Sequence, residues 1–561
     1  MPSISTSSAT TTFALSGNNT IDSLLNPDHV KWSSGSVSMV ALTYSFPWYK
    51  GALAYWQSNY GSNSELQATQ LFGLNDTQII AATNAFQAWA NVANITFTQV
   101  ADTATNVGDF RFAFSSAISS NIWGYSYYPN SYYADAADVW INSSHATEDW
   151  SVGSFNYLSL IHEIGHGLGL KHPGMNNEFG TSDPAPYLPT ALDYKNYTVM
   201  SYNESKYLFL DDSHHTYIIV NPETPMVYDI AAIQYLYGAN TAYRTGNDIY
   251  TFDPSHPFYK SLWDAGGNDT IDISNFSTSC TIDLTPGHYS SLRYINHGTG
   301  DNLYDGTNNL GIAFGSIIEN ATGGSGNDYI IGNDAANKLN GGGGNDTLDG
   351  GSGTDTAIFR GNYADYHITY DAATNKLTIT DNIANRDGID VVTNVENFQF
   401  ADVTKPYTTL AVAVADTQAP TVLTFSPADG LTGVGIGSDI VLTFSEAIQK
   451  GVGTITLHSD SAAGPVFANY DASTSGNLSI SGSTLTINPT ADLANGTHYF
   501  VTISDGSIKD FAGHAYAGTS SYDFTTVMPP DFSSASSSGG SGTAVVLAGV
   551  GALGFLAWVI L

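Results

Sequence analysis

Four nine-residue segments follow one another without a gap: GGSGNDYII begins at Gly323, GNDAANKLN at Gly332, GGGGNDTLD at Gly341 and GGSGTDTAI at Gly350. Such a period prescribes a stack of tight turns and short strands. The glycines permit the turns and expose carbonyl oxygens, the aspartate supplies a hard oxygen, and the apolar residue after it points into a thin core. Calcium takes about six to eight oxygens, more than one turn offers but within reach of two stacked turns. Successive segments should alternate sides, so that turns 18 residues apart stack, which sets Asp328 against Asp346 and Asn337 against Asp355. The second pair carries one charge fewer and is expected to bind calcium more weakly. Gly323, Ser325, Gly341 and Gly343 are the turn residues expected to join these carboxylates around calcium, and AGGNDTIDIS, with Asp269, reads as an earlier, irregular half-repeat. A flexible glycine-rich linker is the plain alternative, and it does not require register through four units.

The chain has 561 residues, too many for one ordinary domain, and 51 acidic against 16 basic residues give a net charge of −35. Such a chain repels phosphate backbones, which excludes nucleic acid as a partner and favours divalent cations. Cys280 is the one cysteine, so no intrachain disulfide forms. Composition divides the sequence into a Ser/Thr-rich mobile segment (1–17), an aromatic-rich mixed zone (18–248), a Gly/Asn/Asp-rich zone (249–405), an alternating apolar/polar zone (418–527), a Ser/Gly linker (528–542) and an apolar tail (543–561). Helices are expected in DTQIIAATNAFQAWANVA, with Asp76 as N-cap, in FNYLSLIHEIGHGL, and in PMVYDIAAIQYLYG, closed by Gly238. The alternation in 418–527, broken by Gly/Asp/Asn turns, is the pattern of a β-sandwich.

Residues 162–172 read HEIGHGLGLKH. On a helix His162 and His166 share one face, one turn apart, a spacing that suits two ligands of a tetrahedral zinc. Glu163 projects to the side, where it can hydrogen-bond a metal-bound water without ligating. Gly169 can end the helix in the left-handed region and return His172 as third ligand. Three imidazoles leave a coordination position open, as a catalytic site requires and a structural one does not.

This segment resembles the zinc-binding motif of the metzincins, and its Lys171-His172-Pro173 ending is most similar to the serralysins. YTVMSY resembles their Met-turn, with Met200 below the metal. The resemblance extends over roughly residues 18–405, through NNTIDSLLNPDHVKW, PMVYDIAAIQYLYGAN and SLWDAGGNDTIDIS, and the nonapeptides resemble RTX repeats. It implies an α+β metzincin catalytic domain followed by a parallel calcium-binding β-roll. It also implies a secreted zinc endopeptidase acting on protein or peptide substrates, with Glu163 as general base and Tyr202 as a mobile zinc ligand that turns to the oxyanion.

Residues 418–527 resemble a bacterial Ig-like domain, and the apolar tail is long enough for a membrane span. The tail reads as an apolar helix giving membrane or cell-surface attachment, as a cleavable sorting signal, or as a buried strand or helix in a partner. The N-terminus has neither a basic region nor an apolar stretch and does not read as a Sec signal peptide. The competing function is a surface adhesion or scaffold protein whose protease-like domain is inactive.

Overall fold

A computed structural model describes residues 8–33, 39–56, 60, 64–130, 135–174, 184–212, 214–411, 418–510, 513–528 and 557–559. The chain forms two compact units, residues 1–318 with 551–561, and residues 319–550.

The first unit is built on a sheet whose strands run, in spatial order, Ile122–Ser126, Val139–Asn142, Phe110–Ser115, Val40–Ser45 and Ile95–Gln99. All neighbours are parallel except the first two. Helix Asp76–Val92 buries Ala81, Ala82, Ala85, Phe86, Trp89 and Val92, one apolar face at helical spacing. Phe86 packs on Tyr44, Phe97, Phe110 and Phe112 of the sheet, and Trp89 Nε1 donates to Ile161 O in the next helix at 3.1 Å. The N-cap is Asn75 rather than Asp76. Asn75 and Gln78 exchange side-chain and backbone hydrogen bonds, a two-way cap that Asp76 cannot form with a residue three further on. Asp76 faces outward to Tyr49 and Lys50.

The N-terminal segment expected to be mobile is in part structured. Ala9–Thr12 pairs antiparallel with Val30–Ser33, and the Ser8 hydroxyl donates to Asp109, because a threonine run suits an edge strand. After helix Val227–Tyr237, closed by Gly238 at φ +81°, the unit continues in short strands. Ile249–Thr251 pairs in parallel with Thr270–Asp272, and Lys260–Leu262 with Leu310–Ile312.

In the second unit the nonapeptides form two parallel stacks. Asn320–Thr322, Lys338–Asn340, Thr356–Ile358 and Asn397–Gln399 lie on one side; Tyr329–Ile331, Thr347–Asp349 and Ile389–Thr393 lie on the other. Successive segments therefore alternate sides. Ala321, Leu339, Ala357 and Phe398 face Ile330, Leu348 and Val392 in a core one side chain deep per layer, all buried. A hairpin, Tyr366–Asp371 with Lys376–Asp381, is inserted before Ile389–Thr393. From Val422 to Thr526 a four-stranded and a five-stranded sheet enclose Ile440, Leu442, Leu457, Leu485, Tyr499 and Phe524.

The expected apolar C-terminal helix is corrected where it is described: Ala557–Val559 is a strand, antiparallel to Ile122–Ser126. A chain edge with open N–H and C=O groups offers a short apolar segment the same backbone satisfaction that a helix would. The linker beyond Met528 and the remainder of the tail lie outside the described residues. Among the described residues no helix is long and apolar enough to cross a membrane.

Candidate metal centres

Helix Phe155–Leu168 starts at Ser154, whose hydroxyl accepts the Tyr157 N–H, and ends at Gly169 with φ +108°. Asn26 Nδ2 donates to Gly169 O, and a Cβ on residue 169 would lie 2.9 Å from that nitrogen, so glycine is demanded by both backbone and space. The turn returns His172 to the helix. Its Nε2 lies 3.1 Å from His162 Nε2 and 3.0 Å from His166 Nε2. Nitrogens bonded at about 2.0–2.1 Å to one tetrahedral ion would be about 3.3 Å apart, close to this spacing. His162 Nδ1 is 2.8 Å from Val199 O and His166 Nδ1 is 2.8 Å from Leu170 O. These carbonyls hold the protons on Nδ1 and turn both Nε2 lone pairs inward. Burial, then the two neighbouring imidazoles, hold His162 well below its ordinary pKa, so it is neutral as a metal ligand must be.

Glu163 is 1% exposed. Burial raises its carboxyl well above the ordinary range, opposed by the Ser126 backbone N–H. Its Oε2 has no hydrogen-bond partner among the described residues. An orphaned carboxylate oxygen beside three converging lone pairs fits a cation carrying a water, and the donor set is that of a zinc site. The Tyr202 ring lies 4.2 Å from the His172 ring and 6.0 Å from that of His162. Met200 is fully buried; a Cβ on Gly165 would come 2.8 Å from its Sδ. Lys171 Nζ donates to the carbonyls of His172 and Pro186, fixing the returning loop.

Asp229 belongs to this centre and was not legible as part of it. Its carboxylate accepts the Thr198 hydroxyl (2.5 Å), the Val199 N–H (2.7 Å) and the Met226 N–H (2.8 Å), which ties the turn around Met200 to the start of helix Val227–Tyr237. Beside His172 opens a cavity of about 300 Å³ lined by Tyr187, Leu188, Asp193, Tyr194 and Tyr202. A larger one, about 410 Å³, lies near Asn84, Tyr243 and Trp263, where Glu223 and Lys260 neutralise each other at 2.8 Å.

The acidic turns form two kinds of cluster. In the first unit Asp269 meets Asp248 and Asp264, with one oxygen of each within 4.8 Å of the others. In the second unit the Asp328 N–H donates to Asp346 Oδ1 (2.8 Å), and the Asp346 N–H to Asp390 Oδ1 (2.9 Å). Asp346 Oδ2 has no partner among the described residues. Burial, with neighbouring aspartates adding to it, pushes Asp346 up to about 7 and Asp390 up to about 8, the response of carboxylates crowded without a counter-cation. A Cβ on Gly323 would be 2.2 Å from Gly341 O and 2.6 Å from Asp328 Oδ2, so glycine there keeps both oxygens unobstructed. Ser325 is exposed on the outer turn. Gly343 donates its N–H to Gly324 O, but its other side faces Arg360, whose Nη2 donates to Gly342 O and Arg386 O and whose Nε donates to Asp387. A guanidinium thus stands between the Gly342-Gly343 turn and the Arg386-Asp387 turn.

On the opposite side the Asn337 N–H donates to Asp355 Oδ1 and the Asp355 N–H to Glu396 Oε2, both at 2.7 Å. Asn337 Nδ2 also donates to Glu319 O and Asn333 Oδ1. The amide supplies hydrogens where an aspartate would leave oxygens for a cation.

Family comparison places these features in context. The model "Peptidase M10 serralysin C terminal" matches residues 228–417, and "Bacterial Ig-like domain" matches residues 416–526. Serralysin of Proteus mirabilis is 35% identical over 329 residues, 53% of this chain and 60% of that protein. Serralysin G of Dickeya chrysanthemi is 33% identical over 332 residues, 55% and 63% respectively. Metalloprotease AprA of Pseudomonas entomophila is 35% identical over 291 residues, 47% and 55%. The chain spans about 60% of the length of the first two.

Proposed function

We propose that this chain, a relative of the serralysins with an added bacterial Ig-like domain, is a zinc-dependent endopeptidase that works outside the cell or on its surface. The observation that carries the reading is the convergence of three imidazole Nε2 atoms, with a partnerless Glu163 oxygen on the residue after His162. His162, His166 and His172 would hold zinc, which when bound lowers the pKa of its water to about 7 and polarises a peptide carbonyl. Glu163 Oε2 takes the proton from the attacking water and returns it to the nitrogen of the leaving amine. Tyr202 is assigned as the donor to the developing oxyanion, a contribution typically of about 2.7–4 kcal/mol. An extended peptide paired with the edge strand Ile122–Ser126, two residues before Tyr128 at His166, would run toward the metal centre.

In this reading the second unit holds calcium between the turns of Asp328 and Asp346, and the first unit holds it among Asp248, Asp264 and Asp269. The Ig-like domain gives the competing reading, an inactive adhesion protein, its support. Against that reading, His162, His166 and His172 are grouped, Tyr202 stands against His172, and Glu163 is retained next to His162 in the chain. Casein zymography of the purified chain, with and without a chelator, separates the two. A cleared band abolished by chelation and restored by zinc supports the endopeptidase; no band under either condition supports the scaffold.

A further inference from the structure

Strand Ile122–Ser126 pairs on one side with Val139–Asn142, which leaves one edge of the sheet open. In the structure that edge is taken by Ala557–Val559, with Ala557 opposite Tyr125 and Val559 opposite Ile122. The same strand leads directly to the metal centre. Two residues beyond Ser126 the Tyr128 ring stands 5.9 Å from that of His166. An extended peptide added to this edge would use the backbone N–H and C=O groups of Ile122–Ser126, and the strand already there uses the same groups. The segment is apolar and without a charge from Thr543 to Leu561, as suits a strand that competes for a partly apolar edge.

We propose that the C-terminal segment around Ala557–Val559 is an intramolecular competitor for the peptide-binding edge beside the candidate metal centre, so that the chain restrains its own site until the segment is displaced or removed. The importance of that edge rests on the endopeptidase reading; the contact itself does not. Being tethered, the segment competes at the effective concentration its linker sets, so a weak three-residue pairing suffices. Competition requires no change in the histidines or Glu163, so its consequence in the full chain is a raised KM with an unchanged kcat.

The test compares the full chain, the full chain carrying Ala557→Pro with Val559→Pro, and a chain ending at Gly542. Proline removes the ladder donors while keeping an apolar tail. Two readouts are taken: amide hydrogen exchange of residues 122–126, and kcat and KM on a short internally quenched peptide. Both altered forms should exchange these amides faster and show KM lowered about three-fold or more at constant kcat. Equal exchange in all three forms overturns the proposal, and faster exchange with unchanged KM overturns the competition. If no form cleaves any peptide, the endopeptidase reading fails, while exchange still decides whether the segment occupies the edge.

Discussion

Asp229 Oδ2 accepts the Val199 N–H at 2.7 Å, and the Val199 carbonyl is in turn 2.8 Å from His162 Nδ1. A buried carboxylate at the foot of one helix thereby orients an imidazole on another. Asp229→Ala would strand the Val199 and Met226 N–H groups without solvent, at about 1–3 kcal/mol for each. The expected outcome is a lower melting temperature together with zinc affinity reduced about 10–100-fold, measured by chelator competition. Unchanged zinc affinity would mean that the turn around Met200 holds without this anchor.

The two sides of the roll differ in one functional group. Asp346→Ala removes an unpartnered carboxylate oxygen from its cluster and should weaken calcium binding strongly. Asn337→Ala should change it little, since that amide donates to Glu319 O and Asn333 Oδ1 rather than offering oxygens to a cation. Asn337→Asp should instead add about one bound ion by restoring a carboxylate opposite Asp355. Isothermal titration calorimetry of the three variants reads both stoichiometry and affinity.

Protons and calcium compete for the same oxygens. Asp346, pushed up to about 7, and Asp390 and Asp355, pushed up to about 8, bind protons in the calcium-free fold that they would lose in the unfolded chain near neutral pH. The folded state therefore binds more protons than the unfolded one between about pH 4 and pH 8, and calcium-free stability falls as pH rises through that window. Calcium requires the deprotonated form, so its affinity should rise as pH goes from about 6 to about 8, with protons released on binding. Titration in buffers of different ionisation enthalpy measures that release. Affinity independent of pH would contradict the assignment of Asp346 as a calcium ligand.

Much of this was legible because it is periodic or locally spaced. The four-residue interval between His162 and His166, Gly169 at the helix end, and the nine-residue period all act within a few turns of backbone. What escaped is held by long-range geometry. Asp390 joins Asp346 across 44 residues because the hairpin Tyr366–Asp381 interrupts the period. Asp248 precedes Asp269 by 21 residues, off the period, although both end a Gly-Asn-Asp triplet that could have flagged them together. Asp229 sits in an expected helix with nothing local to mark what its carboxylate faces. Asn75 rather than Asp76 caps its helix because Gln78 can answer only Asn75 at the required spacing. The apolar tail was ambiguous for a physical reason: an uncharged apolar run satisfies a helix and an edge strand alike, and its partner strand lies more than four hundred residues earlier.

Glu163 bears the central claim, as a base that does not ligate the metal. Glu163→Gln, expressed in the full chain and loaded with zinc, should retain about one zinc per chain by elemental analysis, because the three imidazoles are untouched. Its turnover of an internally quenched peptide should fall about 10²–10⁴-fold below that of the unaltered chain. A zinc-loaded Glu163→Gln chain that cleaves the peptide at the unaltered rate would contradict the account.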